Sequence, residues 1–191
     1  NGFTPRPRGA PASVPRHTPL VLITGHGGGK WYNFRAESAY HQAPGYRHLL
    51  IEGAEGPLSF YQFSPQHVVG GECAVELSRA RRVSLFGTKY EGERPMLWVH
   101  DSDCIRHFGH GGNGKPRPEG CLFRVERTTN SLFANLVEGP TRIAPTTPDQ
   151  PARDSTDPRL WRMLTDHPAD GEALDLAPLE RPVLVRRGQP D

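Results

Sequence analysis

The sequence predicts an all-β fold wound as a parallel solenoid, and three observations carry that expectation. Residues 74–138 read as three laps of one repeat: AVELSRARRVSLFGTKYEGERP from Ala74, MLWVHDSDCIRHFGHGGNGKPRPEG from Met96, and CLFRVERTTNSLFANLVEG from Cys121. Four matched pairs share a spacing of 22, namely Leu77 and Val99, Val83 and Ile105, Phe86 and Phe108, and Gly87 and Gly109. Each lap holds two short β-like runs around a polar corner, with no helical period. Repeats of about 20 to 50 residues signal stacked units, and short alternating runs make the unit a β coil.

Taken in order, residues 1–17 are rich in Pro, Gly and Arg and read as an extended arm or linker. Thr18 to Gly25 (TPLVLITG) is the first strand, with four consecutive apolar residues that suit full burial. The glycines after His26 lack the spacing of a phosphate-binding Walker loop and read as a solenoid corner. Tyr46 to Phe63 is another, less regular lap, so the coils span residues 18–140. Residues 141–191 form a Pro-rich C-terminal segment. Within it Arg159 to Asp166 is predicted to be a short helix packed on the solenoid flank, from Pro158 at its start and Leu160, Trp161 and Leu164 on one side. Val183-Leu184-Val185 reads as an edge strand.

Bulk properties narrow the function. A net charge of +2 with Arg spread along the chain argues against nucleic acid as a partner. No apolar run is long enough to span a bilayer, which argues against a membrane protein. Three cysteines leave the redox compartment open. The chain begins with Asn, which reads as processing or as a piece of a longer chain. Four or five coils make a thin core. The expected partner is therefore the remaining N-terminal part of a longer β-helix, or a second copy in a homo-oligomer.

The length and pattern of the laps resemble coils of the right-handed parallel β-helix of the pectate-lyase-like superfamily, over roughly residues 18–140. The resemblance implies the right-handed winding. It also implies a secreted carbohydrate-active protein, either a polysaccharide lyase or a glycoside hydrolase, or a non-catalytic adhesion or fibre-assembly module. Gly109-His110-Gly111 is similar to the Gly-His-Gly of polygalacturonases, but the Asn-Thr-Asp and Arg-Ile-Lys motifs of that family are missing, so its catalytic residues are not carried over. The superfamily also implies Ca²⁺ as a conceivable cofactor. Asp101 and Asp103 alone are too few oxygens for it, and no metal site is assigned.

Strand alternation sorts the candidate site. Val75, Leu77, Leu97, Val99, Phe123 and Val125 point inward, which leaves Glu76, Trp98 and Arg124 beside Ser78, His100 and Glu126 on one outer face. A Trp for a pyranose ring, an Arg for a uronate, and carboxylates or His to move protons suit a long acidic polysaccharide. The candidate catalytic residues are His100, Glu126, Glu76, Lys89 and Tyr90, with Lys89 and Tyr90 at a corner where a cleft edge would lie. The candidate substrate-binding residues are Trp98, Arg124, Arg106, Trp31, Asp101 and Asp103. The same charges also read as ordinary ladder pairs on a solvated sheet, and the two Trp residues as packing groups.

Overall fold

The computed structural model describes residues 18–37, 42–68, 70–112, 114, 116–137, 142–143, 153–154, 160–178 and 184–188. Strands come in pairs, one pair per turn: β1 (Val21–Thr24) with β2 (Gly29–Tyr32) and β3 (Arg35–Glu37), β4 (Leu49–Glu52) with β5 (Leu58–Gln66), β6 (Val75–Ser78) with β7 (Arg81–Tyr90), β8 (Leu97–His100) with β9 (Asp103–Gly112), and β10 (Gly120–Glu126) with β11 (Thr129–Leu136). The chain continues through β12 (Arg142–Ile143), β13 (Arg153–Asp154), β14 (Trp161–His167), β15 (Leu174–Leu176) and β16 (Leu184–Arg187). Sheet one runs β1-β4-β6-β8-β10-β14-β15, and sheet two runs β16-β11-β9-β7-β5-β2 with β3 also on β5. The turn-to-turn pairings are parallel, which makes a parallel β-solenoid of about four turns. Leu77↔Val99, Val83↔Ile105 and Phe86↔Phe108 are register partners, so the 22-residue spacing is one circuit of the coil.

Each turn bends where one residue adopts the left-handed region. The corner between the two sheets opens with a pair of residues: Gly53-Ala54, where residues 53–57 separate β4 from β5, and then Arg79-Ala80, Asp101-Ser102 and Arg127-Thr128, where the pair is the whole connection. Its first residue has φ of 61°, 50°, 52° and 44° in the four turns, and its second is buried. A second column of positive φ holds Arg82, Cys104 and Asn130, and a third holds Gln62, Gly87, Gly109 and Asn135. A non-glycine residue there costs on the order of 1–2 kcal/mol. Inter-turn backbone bonds hold the corner shut: Arg79 N donates to His100 O at 3.2 Å, Asp101 N to Glu126 O at 3.1 Å, and Arg127 N to His167 O at 2.8 Å. At the first corner a Cβ on Gly27 would stand 2.8 Å from Ile23 Cγ2, so this position of the glycine run is set by packing.

The inward columns form the core. Leu49, Val75, Leu97, Phe123 and Leu164 stack along one, and Ile51, Leu77, Val99 and Val125 along the next. Each is almost wholly buried, and such a side chain contributes about 1.5–3 kcal/mol by leaving water. Two polar clusters interrupt the core. His48 lies between the Tyr46 hydroxyl at 2.9 Å and Gln66 O at 2.6 Å. Thr88 Oγ1 sits 2.9 Å from His107 Nε2 and 3.0 Å from His110 Nδ1, among Phe123 and Phe133. On the outside of sheet two, Tyr32, Tyr61, Phe86 and Phe108 stack at centroid spacings of 5.0–5.3 Å.

Two sequence expectations change. The helix over Arg159 to Asp166 is absent; Trp161–His167 is strand β14, parallel to β10. An eight-residue helix is marginal in isolation, whereas β10 offers an open ladder of backbone donors and acceptors. Trp161, Met163 and Leu164 are buried there, closing the last turn. The first strand is not fully buried. Leu22 is 55% exposed, because it stands on the outer face of sheet one, in the column of Leu50 and Glu76, on the end strand β1. The expected edge strand at 183–185 appears as β16, antiparallel to β11. The arm at 1–17 lies outside the described residues, as does most of 140–158.

Two outcomes follow from this architecture. Gly87 has open space around a Cβ but a φ of 62°. Gly87→Ala is therefore expected to lower stability by about 1 kcal/mol in urea unfolding, with Gly87→Asn costing less. Burial holds His48 at about 4, and burial with His110 nearby holds His107 well below its ordinary value. The unfolded chain titrates both near 6.5 and so binds more protons between that pH and the folded values. Stability is then complete above about pH 6.5 and falls toward pH 4, at up to about 1.4 kcal/mol per pH unit for each ring. Melting by circular dichroism between pH 7.5 and 4.5 checks this, and a flat melting temperature contradicts it.

Candidate functional site

The outer face of sheet one follows from the register alone. Leu50, Glu76, Trp98, Arg124 and Thr165 share one column, and Glu52, Ser78, His100, Glu126 and His167 share the next. The rows expected from alternation, Glu76–Trp98–Arg124 and Ser78–His100–Glu126, are therefore the register partners. Ser78 is buried and adds nothing to the open face.

Two charged chains organise this face. In the first, Arg47 donates from Nε to Glu76 Oε2 at 2.6 Å and from Nη2 to Glu72 Oε2 at 2.5 Å, while its Nη1 donates to the carbonyls of Pro44 and Tyr46. Glu76 Oε1 faces His100 Nε2 at 3.1 Å, His100 Nδ1 faces Asp101 Oδ2 at 2.9 Å, and Arg127 donates to both oxygens of Asp101 at 2.6 and 2.8 Å. In the second, Arg124 donates twice to Glu126 Oε1, at 2.8 and 2.6 Å, and Trp98 Nε1 donates to Glu126 Oε2 at 3.2 Å. The Arg124 guanidinium lies 4.7 Å from the centre of the Trp98 ring. Beside Trp98 opens a cleft of about 300 Å³, lined by Glu72, Cys73, Arg94, Pro95, Trp98 and Arg124.

The charges are set by these contacts. Hydrogen bonds from Arg127 and His100 hold the Asp101 carboxyl well below its ordinary value. Burial alone would raise Glu126, but hydrogen bonds from Arg124 and Trp98 and the nearby guanidinium charges leave it lowered. Both are therefore ionised near neutrality, and neither holds a proton to give. Burial pushes the Cys73 thiol up, so it is a packing group at the cleft wall and not a thiolate.

The remaining sequence candidates do not join this face. Tyr90 is fully buried with its pKa raised by burial, and it stands in the core instead of at a cleft edge. Lys89 and Arg106 lie on sheet two, where Lys89 pairs with Glu91 at 2.8 Å. Trp31 is in the first turn on sheet two, stacked on Phe60 at 5.6 Å. Asp103 is at the corner, where it accepts from Thr129 and Asn130 at 2.7 Å and from Arg81 at 3.3 Å. Asp101 and Asp103 thus point into separate networks. Among the described residues no group of three or more His, Cys, Asp or Glu side chains is placed to hold a metal ion.

Sequence reasoning missed Arg47 and Arg127. Arg127 was within reach, because it occupies the corner position one circuit after Asp101. Arg47 precedes its strand and leaves no signal in the repeat. Compared with known proteins, the chain matches no family model, no curated protein and no solved structure.

The two chains differ in how deeply they are set. Arg47 has 6% of its side chain exposed and Glu76 15%, whereas Arg124 has 45%. Arg47→Ala strips a half-buried carboxylate of its counter-charge and is expected to cost about 3 kcal/mol in urea unfolding. Arg124→Ala is expected to cost less than about 1 kcal/mol. Equal costs would contradict this assignment of Arg47 as the fixed end and Arg124 as the available one.

Proposed function

We propose that this chain is a polysaccharide-binding β-solenoid whose contact face is the outer side of sheet one, with a long acidic glycan lying along the columns from Glu76 to Glu126. The observation that carries the reading is the cleft beside Trp98, where Trp98, Arg94 and Arg124 line a space of about 300 Å³. An aromatic ring suits the apolar face of a sugar and a guanidinium suits a uronate carboxylate. Binding is favoured over turnover because Asp101 and Glu126 are ionised and hydrogen-bonded to arginines. A β-elimination needs a base free to take the proton α to the uronate carboxyl. Such a module fits the extracellular setting implied by the resemblance to pectate-lyase-like β-helices.

A second reading, a polysaccharide lyase or hydrolase, rests on one specific arrangement. The imidazole of His100 lies between the carboxylates of Glu76 and Asp101, at 3.1 and 2.9 Å. An imidazole that exchanges a proton with flanking carboxylates is the minimum equipment for acid–base work.

Titration with uronate oligosaccharides, read by calorimetry alongside ultraviolet absorbance of the polymer mixture, separates the readings. The binding account expects saturable heat that weakens with added salt, and an absorbance trace that stays flat with and without Ca²⁺. Trp98→Ala is expected to lower the affinity at least tenfold, equivalent to about 1.4 kcal/mol. Rising absorbance from unsaturated uronate ends, abolished by His100→Ala, would replace binding with the lyase reading. Absence of heat and absorbance change across the panel would remove both.

A further inference from the structure

The two ends of the solenoid are built differently. At the C-terminal end both sheets finish in an antiparallel strand. Strand β15 runs antiparallel on β14, through Leu164↔Leu176 and Asp166↔Leu174, and β16 runs antiparallel on β11, through Phe133↔Val185. Arg187 of β16 also donates to the buried carboxylate of Asp166 on β14, which ties one sheet to the other across the end of the core. At the other end β1, β2 and β3 pair only with β4 and β5 among the described residues. Their outer backbone edges form an open ladder, the kind of edge that recruits another strand.

Apolar surface concentrates at the same place. The exposed large hydrophobic side chains of the described residues are Leu22, Trp31, Tyr32 and Val137, and all but Val137 belong to the first turn. Tyr32 is 63% exposed, although one ring face is covered by Tyr61 at 5.1 Å. Trp31 is stacked on Phe60 and sits on the inward column, where each later turn places a buried side chain: Phe60, Leu85, His107, Phe133. Its exposure marks an unfinished core.

We infer that the first turn is the contact surface of a symmetric dimer, in which two copies of this chain meet end to end through β1, β2 and β3. Two arguments select a second copy as the occupant. Head-to-tail stacking, which would give an open filament, would not continue the parallel coil, because the strands at the far end, β15 and β16, run antiparallel to it. Contact through the same surface on both copies is two-fold, and a two-fold axis across the strands pairs their edges antiparallel. Strand β3 is self-complementary for that pairing, because Arg35 and Glu37 lie two residues apart on one side of the strand and are both accessible, 2.6 Å from each other. With the axis near Ala36, Arg35 faces the partner's Glu37 and the reverse.

Light scattering on a sizing column tests this with the 191-residue chain between about 1 and 100 μM, the range over which a modest interface associates. The expected result is a mass rising to twice 21.2 kDa and no higher, with amide exchange in β1, β2 and β3 slowing as the dimer forms. Arg35→Glu is expected to weaken association at least tenfold. Mixing Arg35→Glu copies with Glu37→Arg copies should restore it as a heterodimer, since each copy then keeps like charges within its own strand and opposite charges meet only across the interface, a rescue that a merely local effect on the strand would not give. Leu22→Lys with Tyr32→Lys should leave a monomer with an unchanged strand spectrum; if that variant unfolds, the charge-swap pair still decides. A single 21.2 kDa species at every concentration, a ladder of higher multimers, or a dimer indifferent to the charge swap would each overturn the inference.

Discussion

The fold depends on one constraint: successive turns must bend at matching register positions. A parallel solenoid with corners of two residues cannot tolerate one turn bending later than its neighbour, because the ladder bonds on both sides would lose register. The corner column Gly53, Arg79, Asp101, Arg127 shows the cost of this rule, since three of its four members are not glycine and still hold a left-handed backbone. Ladder bonds from the turns above and below fix that conformation, and the buried small residue after each bend, Ala54, Ala80, Ser102 or Thr128, lets the two sheets close over the core.

The same constraint builds the outer face. Once the bends align, residues one circuit apart stand side by side whether or not their charges suit each other. The columns of sheet one could have set like charges together; instead each acid finds a base. Glu76 sits between Arg47 and His100, Asp101 between His100 and Arg127, and Glu126 accepts from Arg124 and Trp98. A face so arranged retains an accessible arginine against an aromatic ring, the feature on which the proposed binding role rests.

The repeat was legible in the sequence because the bends are. Gly87 and Gly109 mark the third bend in consecutive turns, and Phe86 and Phe108 stack on each other just before it, 5.3 Å apart. Alternation then sorted inward from outward residues over β6, β8 and β10, except at Ser78, which is buried, and with them the cluster Glu76, Trp98, His100, Arg124, Glu126. What stayed hidden depends on long-range geometry. The segment Trp161–His167 carries apolar spacing compatible with a helix, and only the open edge of β10 decides for a strand. Tyr90 reads as a corner residue beside Lys89, yet the bend at Gly87 turns it inward. Arg47 reaches Glu76 across 29 positions with nothing in the repeat to announce it.

A two-residue connection between strands is ordinarily the mark of an antiparallel hairpin. Whether these connections are instead corners of a parallel coil can be read from backbone nuclear Overhauser contacts in labelled protein. The account predicts cross-strand contacts of Val99 with Leu77 on one side and Val125 on the other, and of Ile105 with Val83 and Ser131. Contacts running antiparallel across the Arg79-Ala80 or Asp101-Ser102 connection, pairing Leu77 with residues of β7 or Val99 with residues of β9, would contradict it.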